Sequence, residues 1–316
     1  MGSDFVTAPL QFAPIFMERI WGGRRLENLY GKRLPPAVRI GESWEISDRP
    51  EAQSVVLHGP FRGKTLHELW KNHRYEIFGN LPGGERFPLL IKLLDAREKL
   101  SVQVHPPAHL ATELGGEPKT EFWYIADATD DAELFVGLRN TSSRDGFVQA
   151  IQDGDVSSHI HRIPVKTGDA LLLPSGRLHA IGGGNLIVEV QQNSDTTYRV
   201  FDWNRLASDG KPRQLHIEEA LRCIDFEDQE PQLLKADGEI LVRHPFFEIQ
   251  QWDVTNQREV APPGRFAVLF CLAGEIVCAG ITITTGEFAL IPAGMPDRFV
   301  QSRTDVAKIL RVTVPD

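Results

Sequence analysis

Apolar and polar positions alternate along this chain in short runs, mostly with a period of two. Residues 101–105, 122–126, 169–173, 186–191, 267–272 and 288–291 are alternating or β-branched stretches closed off by Gly, Pro or Asp. A period of two sends successive side chains to opposite faces, so each run reads as a strand. Many short strands at regular spacing predict a β-sandwich or barrel rather than a parallel α/β sheet. Helical signals are few. Thr65-Leu66-His67-Glu68 is a capping box that opens an apolar pattern at Leu66, Leu69 and Trp70. Ser142-Ser143-Arg144-Asp145 precedes Phe147, Val148 and Ile151, and residues 217–224 carry a third short pattern. The polar, acidic stretch 225–237 reads as a linker, dividing the chain into a large unit, 1–230, and a smaller one, 231–316.

An internal repeat refines this picture. Residues 168–179 read Gly-Asp-Ala-Leu-Leu-Leu-Pro-Ser-Gly-Arg-Leu-His, and residues 286–297 read Gly-Glu-Phe-Ala-Leu-Ile-Pro-Ala-Gly-Met-Pro-Asp. Both copies run Gly, five residues, Pro, one residue, Gly, two residues, then a polar side chain. A turn at Gly, an apolar strand and a Pro-x-Gly turn aim that last side chain back toward the sheet. The pattern resembles the second motif of the cupin barrel, present twice. It predicts a mainly β chain of two cupin-type (jelly-roll) β-barrels with a few short helices. The first barrel, whose motif ends in His179, is equipped for metal; the second, ending in Asp297, lacks the ligands.

Composition narrows the partners. With 34 Lys+Arg against 43 Asp+Glu the net charge is −9, and no basic stripe offers a nucleic-acid surface. No apolar run approaches the ~20 residues of a membrane span. The first 14 residues lack a basic stretch followed by an apolar one, so a secretory leader is not expected and the chain is expected to be cytoplasmic. Three cysteines, Cys223, Cys271 and Cys278, with no CxxC, suit a reducing compartment and read as small buried hydrophobes.

Candidate metal ligands lie around the first motif. In Ser101-Val102-Gln103-Val104-His105-Pro106, Gln103 and His105 share one strand face. Glu121 opens the next strand, and His179 ends the repeat. Two imidazoles and a carboxylate with an open position suit Zn²⁺, and also Fe²⁺ or Mn²⁺.

At this point the chain resembles a known family, the type I mannose-6-phosphate isomerases in their short bacterial form. The resemblance spans most of its length. It is carried by Ile20-Trp21-Gly22-Gly23, by Gly41-Glu42-Ser43-Trp44, and by Pro88-Leu89-Leu90-Ile91-Lys92-Leu93-Leu94 followed by the Gln103-x-His105-Pro106 block. Lys119-Thr120-Glu121, His179-Ala180, Glu189 and Arg199 complete it. The resemblance implies one Zn²⁺ per chain on Gln103, His105, Glu121 and His179. It implies catalytic roles for Arg199, Lys119 and Glu189, and substrate contacts from Trp21, Glu42, Lys92 and Arg199. The substrate implied is a small sugar phosphate, handled by a monomer or homodimer. Longer members carry a large helical insertion for which 316 residues leave no room, so loops must cover the pocket here.

Residue types support the same chemistry. Aldose–ketose interconversion moves one proton between C1 and C2 and another between O1 and O2, through an enediolate. A cation beside those oxygens stabilises the transition state more than the substrate. The carbon base is open among Glu189, Lys119 and a zinc-bound water. Glu189 also reads as a structural ion-pair partner of Arg199. The phosphate must find Arg199, Lys92 or Lys119, with Arg205 a weaker candidate. Trp21 and Trp44 suit either a sugar face or the core, whereas Tyr198 and Trp123 read as core. A cupin oxidoreductase would favour His-x-His where this chain has Gln103-Val104-His105, and a non-catalytic sugar-phosphate-binding cupin would lack the ligands or Arg199.

Overall fold

A computed structural model of the chain describes residues 6–81, 83–206 and 210–315. In chain order the first thirteen strands are β1 (Ile15–Gly23), β2 (Ile40–Ile46), β3 (Asp48–Arg49), β4 (Ala52–Gln53), β5 (Leu89–Ala96), β6 (Val102–Val104), β7 (Glu121–Ala128), β8 (Glu133–Leu138), β9 (Ile160–Pro164), β10 (Ala170–Leu173), β11 (His179–Ile181), β12 (Asn185–Gln192) and β13 (Tyr198–Phe201). They form a six-stranded sheet, β1-β2-β5-β12-β7-β10, and a five-stranded sheet, β13-β6-β11-β8-β9, with β3 and β4 pairing apart. The rest are β14 (Ile240–His244), β15 (Phe247–Val254), β16 (Arg258–Glu259), β17 (Ala267–Ala273), β18 (Glu275–Cys278), β19 (Ile281–Thr284), β20 (Phe288–Ile291), β21 (Phe299–Ser302) and β22 (Ala307–Thr313). These make a second pair of sheets, β14-β15-β22-β17-β20 and β16-β21-β18-β19. The chain is mainly β, built of cupin-like pairs of antiparallel sheets that remain separate ladders among the described residues.

Alternation sorts the core into layers. On β12, Ile187 points between the two N-terminal sheets, where it meets Trp123, Leu134, Val136 and Leu171. Its neighbours Leu186, Val188 and Val190 point the other way and pack with Phe247, Val268, Leu290 and Leu310 of the C-terminal sheet. The six-stranded sheet is therefore buried on both faces, and its strands are long apolar runs. Tyr124 Oη donates to Gln251 Oε1 at 2.8 Å across that boundary. Val102, Val104 and Ala180, on the outer face of the five-stranded sheet, pack under Phe147, Ala220 and Cys223 from two helices.

Those helices are the expected ones. Leu66–Asn72 starts with the full Thr65/Glu68 capping box, and Arg144–Asp153 is capped by the Ser143 side chain. Ile217–Cys223 is the third, while further short helices were not signalled by apolar period. The acidic stretch 225–237 lies along the first sheets: Arg177 pairs with Asp228 at 2.7 Å, and Leu234 N donates to Ala170 O. All three cysteines are free and buried, and no described helix is long and apolar enough to cross a membrane.

Candidate active site

Two rows of side chains face each other between the N-terminal sheets. On the six-stranded sheet, backbone register sets Trp44 opposite Lys92, Lys92 opposite Glu189 and Glu189 opposite Trp123. On the five-stranded sheet Arg199 sits opposite Gln103, and Gln103 opposite His179. Directly opposed residues point to the same face, so each row is a consequence of strand register alone.

Three of the expected ligands converge. His105 Nε2 lies 3.0 Å and His179 Nε2 3.3 Å from Glu121 Oε1. The ligand atoms of all three lie within 4.8 Å of one another, and the residues are 1% exposed. The turn before His179 depends on Gly176, whose φ of +95° favours glycine and whose amide donates to His105 O, tying the repeat to the Gln-x-His strand.

The hydrogen bonds behind the imidazoles define what this centre can hold. His105 Nδ1 bonds Thr196 O at 2.8 Å and His179 Nδ1 bonds Arg177 O at 2.9 Å. A carbonyl only accepts, so both Nδ1 atoms carry hydrogen and, with the rings neutral, both Nε2 lone pairs face the carboxylate. Burial pushes the His105 imidazolium well below its usual range, helped by the Lys119 cation. Burial and the neighbouring His105 bring His179 down to about 4. Burial pushes the Glu121 carboxyl up, but the Lys119 cation holds it below its ordinary value and it stays ionised. Its Oε2 accepts no hydrogen bond among the described residues, with Lys119 Nζ at 3.4 Å. Acceptors converging on acceptors in a buried space fit a divalent cation. Gln103 adjoins them, its Nε2 being 3.3 Å from His179 Nε2, and turning the amide over would present Oε1 instead.

The neutral imidazoles carry a pH signature. The unfolded chain binds protons on histidine near pH 6.5, whereas folded His179 does so only near about 4. This contribution to stability is full above pH 6.5 and is lost as pH falls toward about 4. Metal-free protein should lose Tm across that window, and His179→Gln should flatten the slope; parallel slopes would refute it.

A cleft of about 420 Å3 adjoins His105, Glu121 and His179. Gln103, Lys119 and Trp123 line it and also touch the triad: the Trp123 ring is 5.3 Å from that of His179. Trp21, Glu42, Lys92, Glu189 and Arg199 line it as well. Lys92 Nζ lies 3.6 Å from Glu42, 3.4 Å from Glu189 and 3.8 Å from Asp195. Burial opposes its charge, but these carboxylates raise its pKa above the ordinary lysine value. Glu42 accepts from Arg19 at 2.6 Å and from the Trp44 indole at 2.7 Å. Against burial, Lys92 and Arg19 hold its carboxyl down to about 2. Glu189 is pushed up by burial and by the Glu121 charge, and takes a 2.9 Å hydrogen bond from Trp123 Nε1.

Some expectations change. Glu189 pairs with Lys92; Arg199 instead donates to Ser101 Oγ and Gln214 O. Arg205 is tied back to Lys99 O and Asp202 rather than lining the cleft. Trp44 is buried, with its ring 4.9 Å from Lys92 Nζ, and Tyr198 is buried with its hydroxyl on Leu114 O. Trp123 is buried too, yet its N–H reaches the site. Arg19 and Arg213 also line the cleft. Arg19 shares a period-two face with Trp21, a signal available in the sequence, whereas Arg213 stands in an irregular polar run. Asp297 is exposed, and the only candidate metal group among the described residues is His105, Glu121 and His179.

Comparison with known proteins gives this arrangement a place. Residues 10–149 match the model of the type I phosphomannose isomerase catalytic domain. The probable mannose-6-phosphate isomerase GmuF of Bacillus subtilis is 42% identical over 302 residues, 91% of this chain and 94% of the relative. The B. subtilis mannose-6-phosphate isomerase ManA is 39% identical over 281 residues, 85% and 87% of the two chains. A crystal structure of the B. subtilis mannose 6-phosphate isomerase superposes with a TM-score of 0.87 at 35% identity, covering 98% of this chain and all of that one. Fold and site together define an aldose–ketose isomerase with a site that could hold a metal. The chain belongs to the mannose-6-phosphate isomerase family.

Proposed function

We propose that the cleft interconverts mannose 6-phosphate and fructose 6-phosphate, with one Zn²⁺ per chain held by His105, Glu121, His179 and the Gln103 amide oxygen. The observation that carries this is the set of buried acceptors facing one another beside a cleft whose Lys119 and Trp123 also touch them. A divalent ion there would supply Lewis-acid stabilisation to negative charge developing on O1 and O2 of the sugar.

The chain's own groups do the rest. Glu189 takes the proton from C2 of the aldose and returns it to C1. Its carboxyl suits both steps because burial and Glu121 raise its proton affinity, while Trp123 Nε1 fixes its orientation. Lys119, buried 3.4 Å from Glu121, gives a proton to O1 and regains one from O2, so the net change is a shift of the carbonyl from C1 to C2. Lys92 and Glu42 hold the sugar hydroxyls, and Trp21 covers one face of the ring. Because three carboxylates surround Lys92, the phosphate belongs near Arg199 instead. On this reading residues 1–230 carry the chemistry of a cytoplasmic carbohydrate-metabolic enzyme, and 231–316 bury the outer face of its sheet.

Metal analysis joined to a coupled assay on mannose 6-phosphate tests the reading. Purified protein should hold one zinc per chain, chelation should remove at least 99% of turnover (about a 10²-fold loss), and Zn²⁺ should restore it. Full turnover in metal-free protein would overturn the Lewis-acid role.

A further inference from the structure

We propose that the C-terminal pair of sheets carries a second small-molecule site, built on Arg311 and shaped for a small organic carboxylate. The site lies outside the catalytic cleft and goes beyond the isomerase reading.

The internal repeat supplies the starting point. Leu171 in the first copy stands where Ala289 stands in the second. In the six-stranded sheet, register leads from Leu171 to Trp123, Glu189 and Lys92, across β10, β7, β12 and β5. In the C-terminal sheet the same path leads from Ala289 to Leu269, Arg311 and Gln250, across β20, β17, β22 and β15. The strand order matches, so Arg311 occupies the place of Glu189, and Gln250 that of Lys92. Opposed residues share a face, and Ala289 and Leu269 pack with Trp252 in the core of the second pair of sheets. A carboxylate–ammonium pair in the first row is replaced in the second by a guanidinium and an amide. The one candidate metal group among the described residues belongs to the first.

Arg311 is 9% exposed, and its guanidinium is only partly used. Nε donates to Val260 O. Nη1 lies 4.0 Å from Glu248 Oε1, too far for a hydrogen bond, and that carboxylate already accepts from Arg243 and Gln250. Nη2 has no hydrogen-bond partner among the described residues. Burial weighs against the Arg311 charge, and Glu248 offsets this only in part.

Arg311 lines a cavity of about 340 Å3. Phe78 and Leu81 from the N-terminal half and Pro262 and Phe266 from the C-terminal half give it apolar walls, while Thr313 adds a hydroxyl and Arg265 a second cation. Apolar walls with a few convergent polar groups are what a small-molecule pocket requires. The guanidinium matches the two oxygens of a carboxylate, and the walls suit a hydrocarbon body behind it. Glu248 also lines the cavity and disfavours a doubly charged phosphate. Because the walls come from both halves of the chain, a ligand there ties them together.

Benzoate titrated into the full-length, zinc-loaded protein tests this. One benzoate per chain should bind, with a Kd of about 10 mM or tighter for a ligand of that size, and should raise Tm. Benzamide, of the same shape but uncharged, should bind at least about tenfold more weakly. Arg311→Gln should weaken benzoate about 10- to 100-fold while KM and kcat for mannose 6-phosphate stay at wild-type values. If that variant does not fold, Asn80→Trp, at an exposed position on the cavity wall, should block benzoate with Arg311 still in place. Benzoate that competes with mannose 6-phosphate and binds Arg311→Gln as tightly as wild type belongs to the catalytic cleft and overturns the proposal. Equal binding of benzoate and benzamide overturns it too, as does wild-type protein that binds no benzoate. A chain that binds benzoate through Arg311 but does not turn over mannose 6-phosphate keeps this site and sinks the isomerase reading.

Discussion

His179→Ala should strip the protein of its metal and lower turnover by about two orders of magnitude or more, as chelation does. The side chain is 1% exposed and its Nε2 is one of two imidazole lone pairs facing Glu121. Its Nδ1 is already committed to Arg177 O, so the ring cannot turn away and be replaced by a neighbour. Removing it leaves one imidazole, one carboxylate and one amide, a poor set for Zn²⁺. The matched control is Asp297→Ala, at the equivalent step of the C-terminal repeat. That residue is exposed and belongs to no candidate metal group among the described residues, so metal content and turnover should remain at wild-type levels. Elemental analysis and the coupled assay on the two variants decide the matter. Equal losses would mean that the second repeat holds the working site.

Glu189→Gln should lower kcat by about 10²- to 10⁴-fold while the bound metal stays. The amide is nearly isosteric and can still accept from Trp123 Nε1, so the geometry of the row survives. What the substitution removes is the proton transfer proposed for the carboxylate. The exchange of substrate carbon-bound hydrogen with solvent deuterium should fall together with kcat, and that readout would not move for a merely structural carboxylate. Lys92 will lose one of three nearby carboxylates, so the Lys92 charge must be sustained by Glu42 and Asp195. A Glu189→Gln variant that turns over within tenfold of wild type would assign the carbon proton to another group, Lys119 first.

The C-terminal pair of sheets has a physical task whatever its further roles. It covers Val188, Val190 and Phe122 on the outer face of the six-stranded sheet. Burying both faces makes β5, β12 and β7 stiff, and these strands carry Lys92, Glu189 and Trp123. A rigid row would keep Glu189, the proposed carbon base, and its neighbours in position without reorganisation during reaction.

Much of this protein is written in local pattern. Period two around 186–191 separated Ile187 and Glu189 from Val188 and Val190, and the layers follow that division. The Pro-x-Gly turn before His179 and the Gln103-x-His105 spacing pointed to His105 and His179, two of the three residues that could hold a metal, because turn chemistry and side-chain alternation are properties of neighbouring residues. The capping box at Thr65 was legible for the same reason. Partnerships across strands were not. Glu189 faces Lys92 rather than Arg199 because β12 and β5 pair in one register, and no local signal states a register. Trp123 is as buried as its composition suggests, yet register sets its indole against a carboxylate. Arg213 sits in an irregular loop whose sequence has no period. Its place beside Arg199 arises from hydrogen bonds to Asp202, eleven residues away, and from the loop's return to β13. Alternation and turns are short-range and survive in the sequence; charge pairing depends on distances that exist only once the sheets have closed on each other.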